Sequence, residues 1–249
     1  MINSALYNFL PRIIDFYHTV KTLNVFNKIQ TFVQVGAHDG VMHDPLREFI
    51  LKNKWNGLLI EPQLEMYEKC RHNYSKIDSV RILNAAVHPT KNKIRLYKPK
   101  NPKDYSHTGW ASINSLRFDD TIYKYNLIEE TVQAMHLMDA IRNNQIKKVD
   151  VLQIDTEGFD FEILNMFDFK RYSPLIIQYE NRHLLEKSKL SADLILRKHK
   201  YVCFHHKNDT FAIRKDLIRP SIIGAYVLIR IFSSINSRLI KNKITDFGK

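Results

Sequence analysis

The stretch Val149 to Gly158, VDVLQIDTEG, limits the fold more than any other part of the chain. Its apolar residues Val149, Val151, Leu152 and Ile154 crowd together instead of alternating with polar ones. They stop at Asp155, Glu157 and Gly158. A short branched run of this kind suits a strand covered on both faces of a parallel sheet. A buried helix segment shares the run but not the abrupt stop. Phe159, Phe161, Ile163, Leu164, Met166 and Phe167 then recur with helical spacing, so the corner reads strand–turn–helix. Ligands of open α/β sheets bind outside the carboxyl ends of the strands, and two acids stand at this one. The competing reading has Asp155 and Glu157 as caps of the following helix.

Two earlier stretches repeat the pattern. In TFVQVGAHDG (Thr31 to Gly40) a short apolar run ends at Gly36, and Gly40 follows. Asp44 is suited to cap a helix with Pro45 at its first position. Glycine belongs where a ligand must approach the backbone or where φ is positive. The spacing differs from the dinucleotide fingerprint GxGxxG. Gly57 to Pro62, GLLIEP, is a second buried strand that ends in an acid, and Glu61 lies 25 residues after Gly36. An acid at that point can accept both ribose hydroxyls of a nucleoside. Val80 to Val87 reads as a third strand and its exit. Strand and helix alternate throughout, which implies a doubly wound parallel sheet with right-handed crossovers.

At 249 residues one α/β domain with appendages is the natural reading. Two cysteines, Cys70 and Cys203, stand without metal-ligand spacing, which fits a reducing compartment and excludes a disulfide scaffold. The formal net charge is +12. From Glu186 to Lys249 there are 14 Lys/Arg against 5 Asp/Glu, and Lys91 to Lys103 holds six Lys/Arg and no acid. Such charge favours anionic partners (glycan, nucleic acid or membrane surface), or else is a solvated basic face.

The pieces FVQVGAHDG (32–40), LLIEP (58–62), LNAAV (83–87), ASINSL (111–116), LMDAI (137–141), VDVLQIDTEGFDFEIL (149–164) and LIIQYENRH (175–183) together resemble the FkbM family of class I methyltransferases, which use S-adenosylmethionine (SAM). They occur in the family's order over roughly residues 31 to 215. LQIDTEGFDFEIL is the most specific of them. The resemblance implies a mostly parallel sheet of about seven strands, bound SAM and methylation of a hydroxyl oxygen. The chain departs from the family pattern at Gln34, where many members carry Asp, and at His38, where many carry Asn. It also departs at Gln153, where Lys is usual, and at Asp160, where Glu is usual.

On this resemblance the SAM site comprises Gln34, Gly36, Ala37, His38, Asp39, Gly40, Glu61, Pro62, Asn84, Ala85, Asp155 and Glu157. Backbone around Gly36, Ala37 and Gly40 meets the methionine end, and Glu61 the ribose. Asn84 and Ala85 lie by the adenine, and Asp155 lies where sulfonium and acceptor meet. Methyl transfer needs an acceptor oxygen held collinear with the methyl group, and a base for its proton. Asp155 is the first candidate base, His183 the second, and Glu157 and Glu180 further acceptor or base candidates. Nothing in their spacing demands a metal.

Residues 1–30 read as an amphipathic helical segment, with Ile2, Leu6, Phe9, Leu10, Ile13, Ile14, Tyr17 and Val20 on one stripe and no pattern of a secretory signal. Residues 31–218 form the methyltransferase domain, and 219–249 a basic, apolar helical extension. Residues 222–243 suit peripheral contact with a membrane or packing on protein, since Ile222 to Phe232 is too short to span a bilayer. Ile94 to Tyr97 is expected as a strand. The polar segment Lys98 to Trp110 is expected as a long loop offering Lys98, Lys100, Lys103, Tyr105, His107 and Trp110 to an acidic acceptor. Ser112 and Ser115 are further candidate contacts. The expected activity is O-methylation of a glycan or related hydroxylated metabolite, in the cytoplasm or at the inner membrane face, with homo-oligomerisation left open. A nucleic-acid-binding protein or nucleic-acid methyltransferase, ranked low for want of a base-flipping or RNA-binding motif, and an inactive scaffold of the same fold are the alternatives.

Overall fold

The computed structural model describes residues 14–26, 28–230 and 233. Strands and helices alternate through the first half as α1 (Phe16–Val25), β1 (Thr31–Val35), α2 (Arg47–Asn53), β2 (Asn56–Ile60), α3 (Leu64–Asn73), β3 (Val80–Leu83) and the short β4 (Ala86–Val87). There follow β5 (Lys93–Pro99), β6 (Leu127–Met135), α4 (Leu137–Asn143), β7 (Val151–Ile154) and α5 (Asp160–Met166). The last elements with two described ends are β8 (Ile176–Glu180), α6 (Glu186–Lys198), β9 (Tyr201–His205) and β10 (Asp209–Arg214).

Seven strands make one sheet in the order β3-β2-β1-β7-β8-β10-β9. Neighbours are parallel from β3 to β8, and β10 is antiparallel to both β8 and β9. Alternate residues of each strand face opposite sides. Val33, Val35, Leu58, Ile60, Leu152 and Ile154 pack with α4, α5 and α6 residues such as Ile141, Leu164 and Leu196. Phe32, Leu59, Val151 and Ile176 pack with Val20, Leu23, Phe49, Ile50 and Cys70 of α1, α2 and α3. Each such side chain contributes roughly 1.5–3 kcal/mol by leaving water, which is why these strands read as unbroken apolar runs. The chain winds outward from β1 in one direction and from β7 in the other. The carboxyl ends of β1 and β7 therefore flank the switch point, where a crevice forms.

Sequence pattern alone did not reveal β6. It pairs antiparallel with β5 from Lys93 opposite Gln133 to Pro99 opposite Leu127, and β4 joins its other edge in a separate three-stranded sheet. The acids Glu129 and Glu130 obscured a strand whose buried positions are the alternating Val132 and Ala134. They also revise the reading of the basic stretch from Lys91. Lys98 is ion-paired with Glu130 and Arg95 with Glu129, so part of that charge is met within the chain. Residues 100–126 leave this hairpin as a long excursion, here called the roof loop.

Of the N-terminal stripe, Ile2 to Ile13 lies outside the described residues. Ile14 and Val20 pack on the domain, whereas Tyr17 is exposed. Residues 220–230 are helical, and Tyr226 is buried beside α1, where its hydroxyl donates to the Asp15 carboxylate at 3.1 Å. The rest of the C-terminal extension lies outside the described residues, apart from residue 233. No described helix is long and apolar enough to cross a membrane.

Candidate active site

A cavity of about 430 Å³ opens at the switch point, within the roughly 300–1,000 Å³ usual for small-molecule sites. Gly36 and Asp155 meet at its floor. Gly36 has φ +83°, and a Cβ there would lie 1.7 Å from the Asp155 carbonyl oxygen. Only glycine lets the exits of β1 and β7 approach this closely. The amides of Gly36 and Ala37 both donate to the Ile60 carbonyl, at 2.9 and 3.1 Å, and the Gly40 amide donates to the Ala37 carbonyl. The loop thus brings a ligand near to backbone without leaving those three N–H groups free to bind it.

Glu61 ends β2 inside the cavity wall. Its Oε2 accepts from the His38 amide and its Oε1 from the Gln63 amide, both at 2.9 Å. Burial pushes its carboxyl up to about 7, against the pull of these amides. Each oxygen keeps a second lone pair. Asn84 donates to the carbonyls of Glu61 and Pro62, at 2.9 and 3.1 Å. It therefore fixes the turn that carries the acid and, although the sequence places it by the adenine, does not line the cavity. Ala85, Ala86 and Val87 supply the apolar wall beyond.

His38 is left-handed at φ +49°, as few non-glycine residues are. Its Nε2 contacts Thr108 Oγ1 at 2.7 Å. The one hydroxyl proton of Thr108 goes to the Tyr105 carbonyl, so His38 Nε2 is the donor. Asp39 points away from the cavity: its carboxylate accepts from the Val41 and Met42 amides and from the Tyr105 hydroxyl at 2.8 Å. Both side chains pin the roof loop; His38 lines the cavity as well, whereas Asp39, expected at the cofactor, does not. Gln63 joins them through the Thr108 carbonyl, at 3.0 Å. Gly40 also stands off the cavity, with φ +68° and no room for a Cβ against Tyr74.

The other half of the site is built of acids. Asp155 stands open to the cavity although protein rings it, and among the described residues its carboxylate accepts no hydrogen bond. Burial, then the charges of Asp160, Glu157 and Asp209, raise its carboxyl well above the usual range. Glu157, left-handed at φ +55°, also lines the cavity. Asp160 is fully buried and accepts from the Thr156 hydroxyl and from the amides of Gly158 and Glu180. It ties the turn after β7 to the end of β8. Glu180 and His183 lie behind Glu157 and do not line the cavity. Burial and the neighbouring acids raise the Glu180 carboxyl, and its Oε2 has no partner among the described residues.

Gln34, Gly36, Ala37, His38, Glu61, Pro62, Ala85, Asp155 and Glu157 thus meet at one cavity. Of the loop residues expected at an acceptor, Trp110 lines it. Tyr105 bonds Asp39, His107 bonds the Tyr123 hydroxyl, and Lys98 bonds Glu130. Ser112 is buried and donates to the Glu157 carbonyl at 2.9 Å. Arg117, which carries no motif signal, reaches Glu157 from the roof loop. Glu157, Glu180 and His183 place ligating atoms within 4.8 Å of one another.

The Methyltransferase FkbM domain family matches residues 34–203. No curated protein matches the sequence. Among solved structures, a precorrin-6y C5,15-methyltransferase from Geobacter metallireducens GS-15 is 11% identical with a TM-score of 0.40, covering 78% of this chain and 87% of that one. Methyltransferase FkbM from Methylobacillus flagellatus KT is 14% identical with a TM-score of 0.46, covering 83% of this chain and 57% of that one. The N-terminal domain of human METTL16, in complex with SAH, is 10% identical with a TM-score of 0.41, covering 79% and 68%.

Proposed function

The chain belongs to the FkbM methyltransferase family, and from that premise we propose that it moves a methyl group from SAM to a hydroxyl oxygen of a glycan or related hydroxylated metabolite. The cavity fits the cofactor on three counts. Gly36 clears the backbone for close approach, Glu61 holds fixed acceptor oxygens for a ribose, and Ala85 to Val87 offer an apolar wall for a base. Bound there, SAM supplies an electrophilic methyl group on a positively charged sulfur.

The chain's own residues then have separate tasks. Glu61 orients the ribose through oxygens that its two amides hold in place. Asp155 favours a cation near it and takes the proton that the acceptor hydroxyl loses. Its raised affinity for protons suits it to that task, and among the described residues it makes no hydrogen bond that would have to break first. His183 is the poorer base, since its Nε2 already faces Arg117 at 3.3 Å. Holding the acceptor oxygen in line supplies much of the acceleration in such a displacement, and Trp110 and Phe159 are large aromatic side chains at the cavity that suit this task.

The observation that carries this reading is the pair of carboxyls on either side of the switch point, one locked by backbone and one free. Calorimetric titration of SAM into wild-type, Glu61→Ala and Asp155→Asn protein tests it. Micromolar binding, lost in Glu61→Ala and kept in Asp155→Asn, is the expected result; no binding by the wild type would sink the reading. Transfer of labelled methyl to a panel of free and lipid-linked sugars then tests the acceptor class.

A further inference from the structure

Arg117 is almost wholly buried on the short 3-10 helix Ser115–Phe118 of the roof loop, its side chain 6% exposed. Its Nη2 donates to the Glu157 carboxylate and lies 3.3 Å from His183 Nε2. Nη1 donates to the Trp110 carbonyl at 3.3 Å, and the guanidinium lies 5.5 Å from the Trp110 ring centroid and 5.1 Å from that of Phe118. A buried guanidinium against two rings, with a carboxylate and an imidazole at one nitrogen, is held in a single place.

We propose that Arg117 is a positioning residue of this active site: a fixed charge carried in from the roof loop, it gathers Glu157 and His183 and leaves Asp155 as the carboxyl free to take the acceptor's proton. The proposal rests on the methyl-transfer reading above for the role of Asp155. Among the described residues, the charged groups that act on Asp155 are Glu157 and Asp160 from its own turn, Glu180 from the end of β8, Asp209 from β10, and Arg117 from the roof. Arg117 opposes the acids around both Asp155 and Glu180. His183 Nε2 lies 3.3 Å from both Arg117 Nη2 and the Glu157 carboxylate, so the three groups meet at one point. Glu157 is bound to the guanidinium, whereas the Asp155 carboxylate stands open to the cavity and accepts no hydrogen bond among the described residues. Glu157, Glu180 and His183 have the spacing of a divalent-ion site. The arginine sits at two of these three, where an ion would have to displace it.

Carbon-13 NMR titration of the Asp and Glu carboxyls in the full chain tests this without any acceptor, with thermal melts to confirm folding. Arg117→Met is expected to move the Asp155 midpoint upward, since the guanidinium opposes the acids around that carboxyl. Arg117→Lys keeps the charge but cannot span both partners. There the Asp155 midpoint moves by about half as much or less, while the His183 Nε2 resonance shifts. Unchanged midpoints in folded Arg117→Met would overturn the proposal. Should that variant not fold, an unshifted His183 resonance in Arg117→Lys would do so. Saturable Mn²⁺ binding by the wild type that disappears in His183→Gln would overturn it too, because the cation of the site would then be an ion. SAM calorimetry on the same wild-type sample is read separately. Its failure removes the methyl-transfer reading and leaves the titration to decide whether Arg117 sets the charge of the cluster.

Discussion

Glu61 and Asp155 sit at the same level of one sheet, at the ends of β2 and β7, and they are prepared in opposite ways. Glu61 is closed in by protein, and both oxygens accept backbone amides at 2.9 Å. Asp155 opens to the cavity, accepts no hydrogen bond among the described residues, and has acids for neighbours. The first arrangement fixes direction, as a group that must orient a ligand requires. The second raises proton affinity and leaves the lone pairs free, as a group that must gain a proton requires. The roof loop joins the halves, held by Thr108 on the Glu61 side and by Ser112 and Arg117 on the other.

The harshest way to break this comparison is at its hinge. Gly36→Ala drives a Cβ into the Asp155 carbonyl, 1.7 Å away, and is expected to cost several kcal/mol in urea unfolding. Gly158→Ala, at φ +108° with its nearest neighbour 3.4 Å away, meets only backbone strain and should cost about 1–2 kcal/mol. Equal losses would show that the two turns are not built differently.

Next come the carboxyls themselves. Asp155→Asn should lower turnover about 10²- to 10⁴-fold with little change in SAM affinity. Glu61→Gln should weaken SAM by about 10- to 100-fold, the loss of roughly 1.4–2.8 kcal/mol of binding, and change turnover at saturation little. The reverse split would exchange the two roles.

A third test uses pH. The carboxyl of Glu61 is raised from an ordinary 4.5 to about 7 in the folded protein. Its contribution to stability is therefore fully present below about 4.5 and is lost as pH rises through about 7, because folding comes to bury a charge. Melting temperature of the cofactor-free protein should fall over that range, and Glu61→Gln should flatten the fall. Asp160, likewise raised to about 7 by burial, keeps its own share in that variant. SAM affinity should rise over the same range if the ionised Glu61 holds the ribose.

The smallest effect expected is at the roof. Thr108→Val removes the partner of the His38 ring and should cost about 1 kcal/mol. It should speed amide exchange in residues 100–126 while leaving the Glu157 side protected.

The alternation of apolar runs with helical spacing, the stops at Gly36, Glu61 and Asp155, and the turn around Glu157 were all legible in the sequence, because each is a local pattern dictated by burial and backbone geometry. β6 was not legible, since its acids answer basic residues more than 30 positions earlier. Asp39 and Asn84 were read as cofactor residues because their place beside the strand ends was clear and their direction was not. Gln34 and Gln153 looked like two separate departures from the family pattern. The register of β1 on β7 sets them side by side, with both side chains lining the cavity, so a usual Asp and a usual Lys are replaced together by two neutral amides. Arg117 carries no signal at all: it matters only because the roof loop folds back across some forty residues to bring one charge against Glu157. Sequence by itself determined which strands are buried and where they stop, because those follow from neighbours along the chain. Which carboxyl is locked, which is free and which is paired was decided by the tertiary structure alone, because proton affinity depends on charges and hydrogen bonds that meet only after folding.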